Sequence, residues 1–275
     1  DLGTGIRTLF AVVGAEVFGL KPDQITPLIG DSDYPPGQAS GGSTTTPSMM
    51  PPALVAAQAA RDEFFTRIAP AYGGDPKAMR LAEGQLFVND EPIASWTEAC
   101  RKLGMKSVSV TSSAGPRMGE LSSNGVGGCQ FATVAVDVET GTVKLEKIVA
   151  VQDSGLIVNF ATWESQVSGG VIGGLNYALF EERVMDETTG RMLNPDMEMY
   201  KLAGPSDIPE IVVKAYDTPA MRARGVIGVG EPPTVSTAAA IGNAVSNAIG
   251  VRVPHFPMSP MNVLNALASV RKGEA

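Results

Sequence analysis

The 275-residue sequence has few of the side chains on which metal binding and nucleophilic catalysis depend. It contains one histidine, His255, and two cysteines, Cys100 and Cys129. These are too few for a zinc site of four cysteines or of two cysteines and two histidines, a haem-attachment motif or an iron–sulfur cluster held by this chain alone. A Ser-His-Asp triad would have to use His255, which lies between Pro254 and Pro257 and is better explained as a loop residue. The sequence therefore predicts no metal ligands.

Positive charge is also scarce, and long apolar runs are absent. Twenty-one Lys and Arg against 29 Asp and Glu give a formal net charge of −8, and such a field repels nucleic-acid phosphates. No apolar run approaches the ~20 residues of a membrane-spanning helix. We therefore expect neither a nucleic-acid partner nor a membrane span. With 44% hydrophobic and 18% charged residues, the composition is that of a globular protein.

Helical and strand patterns alternate along the chain and predict an α+β fold of mixed sheets, packed helices and two sub-domains. Ser95 and Glu98 form a capping box that opens a helix, and alternating residues predict a β-hairpin from 130–138 and 143–151. The remaining predictions are helices at 6–18, 53–69, 162–182 and 236–249 and after Ser259-Pro260, strands at 24–29, 106–111, 208–216 and 224–229, and a long loop at 30–52. A loop at 117–128 predicts the sub-domain boundary, between 1–116 and 117–275.

Two glycine-rich segments have the composition of ligand-binding turns. The first, Gly3-Thr4-Gly5, enters the first predicted helix, where backbone N–H groups and the helix dipole favour anions; a plain turn into a helix is the alternative. The second, residues 40–46, adds hydroxyl groups suited to a phosphate or a pterin edge; a flexible linker is the alternative. The candidate binding residues are Gly3, Thr4, Gly5, Thr8, Gly41, Gly42, Ser43, Thr44 and Thr45.

A third segment, residues 228–233, carries the most specific signal. Its acid, Glu231, follows an apolar run and precedes two prolines that restrict the backbone. A carboxylate held rigidly among apolar groups can serve as a general base, whereas a surface turn glutamate would need less backbone restriction. Separately, the amide of Gln166 could pair with the edge of a heteroaromatic ring, although an exposed helical glutamine is the simpler interpretation.

In their order along the sequence, the two glycine-rich segments, Gln166 and residues 228–233 resemble motifs of the molybdenum hydroxylases of the xanthine dehydrogenase and aldehyde oxidase type. The resemblance covers about residues 1–268 and rests also on Gly30-Asp31-Ser32-Asp33, Asp153-Ser154-Gly155, Asn159, Gly169-Gly170, Leu193-Asn194 and Tyr200-Lys201-Leu202. It implies a fold of the molybdenum-cofactor-binding type, with Glu231 as the catalytic base. It also implies that Val229, Gly230 and Gln166 bind the cofactor. Thr4 stands where the family frequently has Gln.

The resemblance implies oxidation of aldehydes or N-heteroaromatic compounds with water as the source of oxygen. It further implies a molybdopterin cofactor in its cytosine dinucleotide form, with [2Fe–2S] clusters and FAD on partner subunits. We expect the chain to be the C-terminal part of the large subunit, without its upstream half, and therefore to bind no cofactor and to be inactive alone. We expect it in the cytoplasm rather than the periplasm. The alternatives are a non-catalytic molybdopterin-binding or assembly module and an unrelated nucleotide-binding domain.

Overall fold

The computed structural model describes residues 1–112 and 125–271, and these residues form two compact units. The first unit contains residues 1–112, 125, 155–162 and 222–228, and the second contains residues 126–154, 163–221 and 229–271. Each unit combines helices with a three-stranded sheet, so the predicted α+β class is confirmed. The boundary predicted between residues 116 and 117 lies outside the described residues.

The first unit is built on a small antiparallel meander. Its elements are α1 (Ile6–Phe18), α2 (Thr45–Tyr72), β1 (Met79–Ala82), β2 (Gln85–Val88), β3 (Glu91–Ser95) and α3 (Trp96–Arg101), and the strand order is β1-β2-β3. Phe64 and Ile68 of α2 pack with Leu86 of β2 in one buried cluster. The predicted capping box is confirmed, because Ser95 Oγ accepts from the Glu98 N–H and the Glu98 carboxylate accepts from the Ser95 N–H.

The second unit contains the predicted hairpin. The remaining elements of the chain are β4 (Gly127–Val136), β5 (Val143–Asp153), α4 (Phe160–Leu179), β6 (Glu210–Ala215), α5 (Pro219–Arg222), α6 (Pro232–Ile249) and α7 (Pro260–Arg271). Strand β5 pairs antiparallel with β4 and parallel with β6. Leu175 of α4, Ile241 of α6 and Val263 of α7 are fully buried in the core. Within residues 1–112 and 125–271, no helix is both long and apolar enough to cross a bilayer.

Three predicted strands are wrong because an extended segment becomes a strand only when its backbone groups find a partner. Residues 22–24 form a 3-10 turn, and residues 25–29 and 106–111 join neither sheet of the described chain. In the third predicted strand, 224–229, only Val226 is bridged, to Gly155. Conversely, the meander β1–β3 was missed because its strands have only four or five residues each.

Three helices begin earlier than predicted: α4 by two residues, and α2 and α6 by shifts that affect the candidate site. Helix α2 begins at Thr45, inside the predicted loop, and continues through Pro51 and Pro52. Each proline removes a helical N–H, but Met50 is 3% exposed and packs with residues of α1, which compensates for the weak local preference. Helix α6 begins at Pro232 rather than at residue 236. The second glycine-rich segment and Glu231 therefore each immediately precede a helix.

Candidate cofactor-binding and catalytic site

The first glycine turn requires glycine for two physical reasons. Gly3 and Gly5 have φ of +104° and +80°, values that L-residues rarely adopt. A Cβ on Gly5 would lie 2.6 Å from Thr162 Cγ2. Thr162 is held in turn by Asn159, whose Oδ1 accepts from the Thr162 N–H at 3.0 Å. Gly5 and Asn159 are distant in sequence, but both shape the start of α1, since Asn159 holds the Thr162 side chain that packs against Gly5.

The backbone donors of this turn are bound by a carboxylate of the chain itself. Asp1 accepts from the N–H groups of Gly3, Gly5 and Arg7 at 3.0, 3.2 and 3.2 Å. In this conformation the N–H groups of Gly3 and Gly5 are therefore paired within the chain, and their binding of an external anion stays a prediction. Thr4 is different, because its Oγ1 is buried without a hydrogen-bond partner in the described part of the chain. The side chain, not the backbone, is the group that this turn can offer to a ligand.

The second glycine turn opens the longest helix. Gly42 and Ser43 have φ of +59° and +55°, and Thr44 is the N-cap of the 28-residue α2 without a side-chain capping bond. The Thr44 hydroxyl donates to the Gly41 carbonyl at 2.8 Å, and the Thr45 hydroxyl donates to Ser40 Oγ at 3.2 Å. These hydroxyl protons are used within the turn, whereas the first N–H groups of a helix have no acceptor within it. The segment is thus an ordered turn that leads into the start of α2.

A close backbone contact ties the second turn to the segment that leads to Glu231. Within the first unit, the Ser43 carbonyl lies so near Gly228 that no Cβ could be placed on Gly228. This requirement cannot be read from local backbone angles, since Gly228 does not have a positive φ. The glycine is needed because another backbone approaches it.

The second glycine turn lines a cavity of the first unit, about 930 Å³ in volume, through Ser40 and Thr45. Asp1, which binds the backbone of the first turn, lines the same cavity. Apolar side chains such as Phe10 and Met49 form much of the remaining wall. A mainly apolar cleft of this size with a few polar groups is typical of a small-molecule site.

Glu231, in the second unit, is the N-cap of α6, and its carboxylate makes no capping bond with that helix. Pro232 and Pro233 occupy the first two helical positions and have no N–H to donate, and the N–H of the third residue, Thr234, donates to the Glu231 carbonyl. The side chain is exposed, so the expectation that apolar groups surround it is wrong for this chain. Val229 and Gly230 are half-buried. The segment fixes the backbone of Glu231 while leaving the carboxylate outside the helix's own hydrogen bonds.

Gln166 lies on α4, one helical turn before Gly170. A Cβ on Gly170 would lie 2.7 Å from Pro233 Cβ, so this face of α4 contacts the first turn of α6 closely. Gln166 itself is half-buried on this helix.

Other residues of the motifs hold the backbone. Ser154 Oγ accepts from the Trp163 indole N–H at 2.5 Å. Asn194 accepts from the Val184 N–H at 2.9 Å and donates to the Glu182 carbonyl at 2.6 Å. These side chains are buried and paired, so we assign them to the fold.

Sequence analysis missed two sets of residues that shape the site. An Asp shortly before a helix start is a capping signal, and it could have identified Asp1 as the partner of the first turn. Gln130 and Thr237, which contact Pro233, gave no comparable signal. Gln130 lies 103 residues from Pro233 in sequence, and an amide in an alternating strand looks like a solvent-facing residue.

Comparison with known proteins identifies the family. Residues 1–209 match the molybdopterin cofactor-binding domain family. The aldehyde oxidoreductase molybdenum-binding subunit PaoC of Escherichia coli K12 is 32% identical over 98% of this chain and 36% of that protein. The xanthine dehydrogenase molybdenum-binding subunit of E. coli O157:H7 is 28% identical over 94% of this chain and 36% of that protein. The fold matches quinoline 2-oxidoreductase from Pseudomonas putida 86 with a TM-score of 0.82 at 20% identity, over 98% of this chain and 36% of that one.

These matches define the class as a molybdopterin cofactor-binding domain. The chain belongs to the molybdopterin cofactor-binding domain family. The resemblance to xanthine dehydrogenase and aldehyde oxidase enzymes is thereby confirmed. The chain spans about a third of the length of the curated relatives it matches.

The unpaired hydroxyl of Thr4 leads to a prediction with an unusual sign. Val has nearly the shape of Thr but no hydroxyl, so Thr4→Val removes a buried polar group that has lost its water without gaining a partner. We expect the free energy of unfolding of the cofactor-free chain to rise by about 1 kcal/mol in urea titration. Thr8→Val, at an exposed position of α1, should change it by less than about 0.5 kcal/mol. A clear loss of stability in Thr4→Val would mean that the hydroxyl is paired within the chain.

Proposed function

We propose that this chain is part of a molybdenum hydroxylase that oxidises aldehydes or N-heteroaromatic compounds with water as the source of oxygen. Relatives of both the aldehyde oxidoreductase and the xanthine dehydrogenase type support this substrate class. The observation that carries the catalytic assignment is the position of Glu231. Its backbone is fixed at the start of α6, and its carboxylate takes no part in capping that helix.

The residues present fit a molybdopterin cofactor. Thr4 offers a buried hydroxyl without a partner in the described chain, and residues 41–45 form an ordered turn before the uncapped start of α2. A Cβ on Gly42 would make only an ordinary van der Waals contact, with Thr44 Cγ2 at 3.9 Å. We propose that these residues of the first unit bind the cofactor, and separately that Gln166, Val229 and Gly230 of the second unit are cofactor-binding residues. When bound, the cofactor would accept the two electrons that leave the substrate carbon.

In this proposal, Glu231 acts as the general base. Oxidation of an aldehyde with water as the source of oxygen gives a carboxylic acid, two protons and two electrons, which pass to the electron acceptor. A new C–O bond forms to the water-derived oxygen while the C–H bond of the substrate breaks. The Glu231 carboxylate accepts the proton of that oxygen as the C–O bond forms, which raises the nucleophilicity of the oxygen. Pro232 and Pro233 restrict the adjoining backbone, which limits the positions that the carboxylate can reach.

The electrons require carriers beyond this chain. Its two cysteines, Cys100 and Cys129, cannot ligate a [2Fe–2S] cluster. We propose that [2Fe–2S] clusters and FAD on partner subunits receive the electrons, and that the cofactor is the cytosine dinucleotide form. Relatives described as molybdenum-binding subunits support a division of the enzyme into subunits.

The general-base role predicts a specific loss of turnover. In the whole enzyme, Glu231→Gln keeps the size of the side chain but cannot accept the proton. The kcat per bound molybdenum should fall by about 10²–10⁴-fold while molybdenum content is retained. Glu146→Gln, at an exposed position of β5, is the matched control and should keep normal turnover. Normal turnover in Glu231→Gln would refute the assignment. If the whole unsubstituted protein binds its full complement of molybdenum but oxidises no aldehyde or heteroaromatic compound, the non-catalytic alternative is supported.

The second glycine turn can be tested with two glycines that flank the same helix. Gly42 and Gly73 lie just before and just after α2, with φ of +59° and +60°, and an added Cβ would find open space or ordinary van der Waals contact at both. Alanine should therefore strain both positions equally, by about 1–2 kcal/mol. If the turn holds the cofactor, Gly42→Ala should lower the molybdenum content of the whole protein, and Gly73→Ala should not. Equal molybdenum content in the two variants would identify residues 41–45 as a structural turn only.

A further inference from the structure

A buried polar network lies behind the first turn of α6, all of it within the second unit. Gln130 of β4 donates through Nε2 to the Pro233 carbonyl at 2.6 Å. Because a carbonyl can only accept, this contact fixes the orientation of the amide. Gln130 Oε1 then faces the Thr237 hydroxyl at 2.6 Å, and that hydroxyl also lies 2.9 Å from the Pro233 carbonyl. Thr237 is fully buried.

The network restrains the turn that begins at Glu231. Pro233 stands two residues after Glu231, and the Thr234 N–H donates to the Glu231 carbonyl at 3.0 Å. Gly170 of α4 is in close contact with the Pro233 ring, because a Cβ there would lie 2.7 Å from Pro233 Cβ. Pro233 is therefore held by a hydrogen bond from β4 and by packing from α4.

The start of α6 needs such restraint more than an ordinary helix start does. The two leading prolines supply no N–H groups, and no side chain caps the helix. The usual local interactions that fix a helix entrance are therefore reduced. Hydrogen bonds from a distant strand take their place.

We propose that Gln130 and Thr237 are positioning residues that set the orientation of the Glu231 carboxylate by fixing the first turn of α6. This inference rests on the proposed role of Glu231 as the base. Neither residue touches the reacting atoms in this proposal. Both act through the backbone of Pro233.

The test uses the whole enzyme and measures kcat, KM and molybdenum content. Gln130→Met preserves side-chain length but removes both hydrogen bonds. A misplaced catalytic group costs about 10–100-fold, so kcat per molybdenum should fall by that factor while KM and molybdenum content stay within about twofold. Asn262→Leu is the matched control, because Asn262 also donates its amide to a proline carbonyl, that of Pro257, at 2.8 Å. It should leave kcat unchanged.

A second pair of variants keeps the test decisive if Gln130→Met does not fold. Thr237→Ser retains the hydroxyl and should keep near-normal kcat, whereas Thr237→Val should lose about as much as Gln130→Met. Normal kcat in Thr237→Val would overturn the proposal.

A double-mutant cycle separates positioning from a general structural effect. If Gln130 acts only through the carboxylate, Gln130→Met should cause no further loss of kcat in the Glu231→Gln background. An equal loss in both backgrounds would overturn the positioning role. If Gln130→Met has normal kcat while Glu231→Gln has lost its activity, this inference alone is overturned. Normal kcat in Glu231→Gln would overturn the proposed function itself.

Discussion

The two prolines at the start of α6 are the constraint from which the candidate catalytic geometry follows. Because Pro232 and Pro233 have no N–H groups and the Thr234 N–H donates to the Glu231 carbonyl, the Glu231 carboxylate does not cap its own helix. The same absence weakens the helix start, and the fold compensates from outside the helix. Gln130 bonds the Pro233 carbonyl, and Gly170 allows α4 to approach the proline ring. A fixed backbone and a carboxylate that does not cap the helix thus have one physical origin.

The two glycine turns solve a similar problem in opposite ways. At α1, the Asp1 carboxylate satisfies the backbone donors, and the Thr4 hydroxyl is left without a partner among the described residues. At α2, the hydroxyls of Thr44 and Thr45 bond within the turn, and no side chain caps the helix. Similar glycine-rich composition therefore leaves a side chain available in one turn and a helix start available in the other. The hydrogen bonds, and not the composition, distinguish the group that each turn can offer to a ligand.

Much of the fold could be predicted where local patterns decide it. The β4–β5 hairpin has ten or more residues per strand and a clear alternation, and Gly19 ends α1 as its position suggests. Prediction failed where tertiary contacts override local preference. The packing of the buried Met50 side chain stabilises α2 at Pro51 and Pro52, where the local sequence disfavours a helix. For the site, the Glu231 motif was visible in sequence, but its exposure and its support by Gln130 depend on pairings between distant segments.

We propose that the two glycine turns and the start of α6 belong to the binding and catalytic machinery of a molybdenum cofactor. Elemental analysis of the whole protein that contains this chain, purified in its folded state, tests the claim most directly. We expect one molybdenum atom per protein chain, with more phosphorus than molybdenum, as a dinucleotide form of the cofactor requires. Folded whole protein that contains no molybdenum, even when produced in cells that make the cofactor, would contradict it.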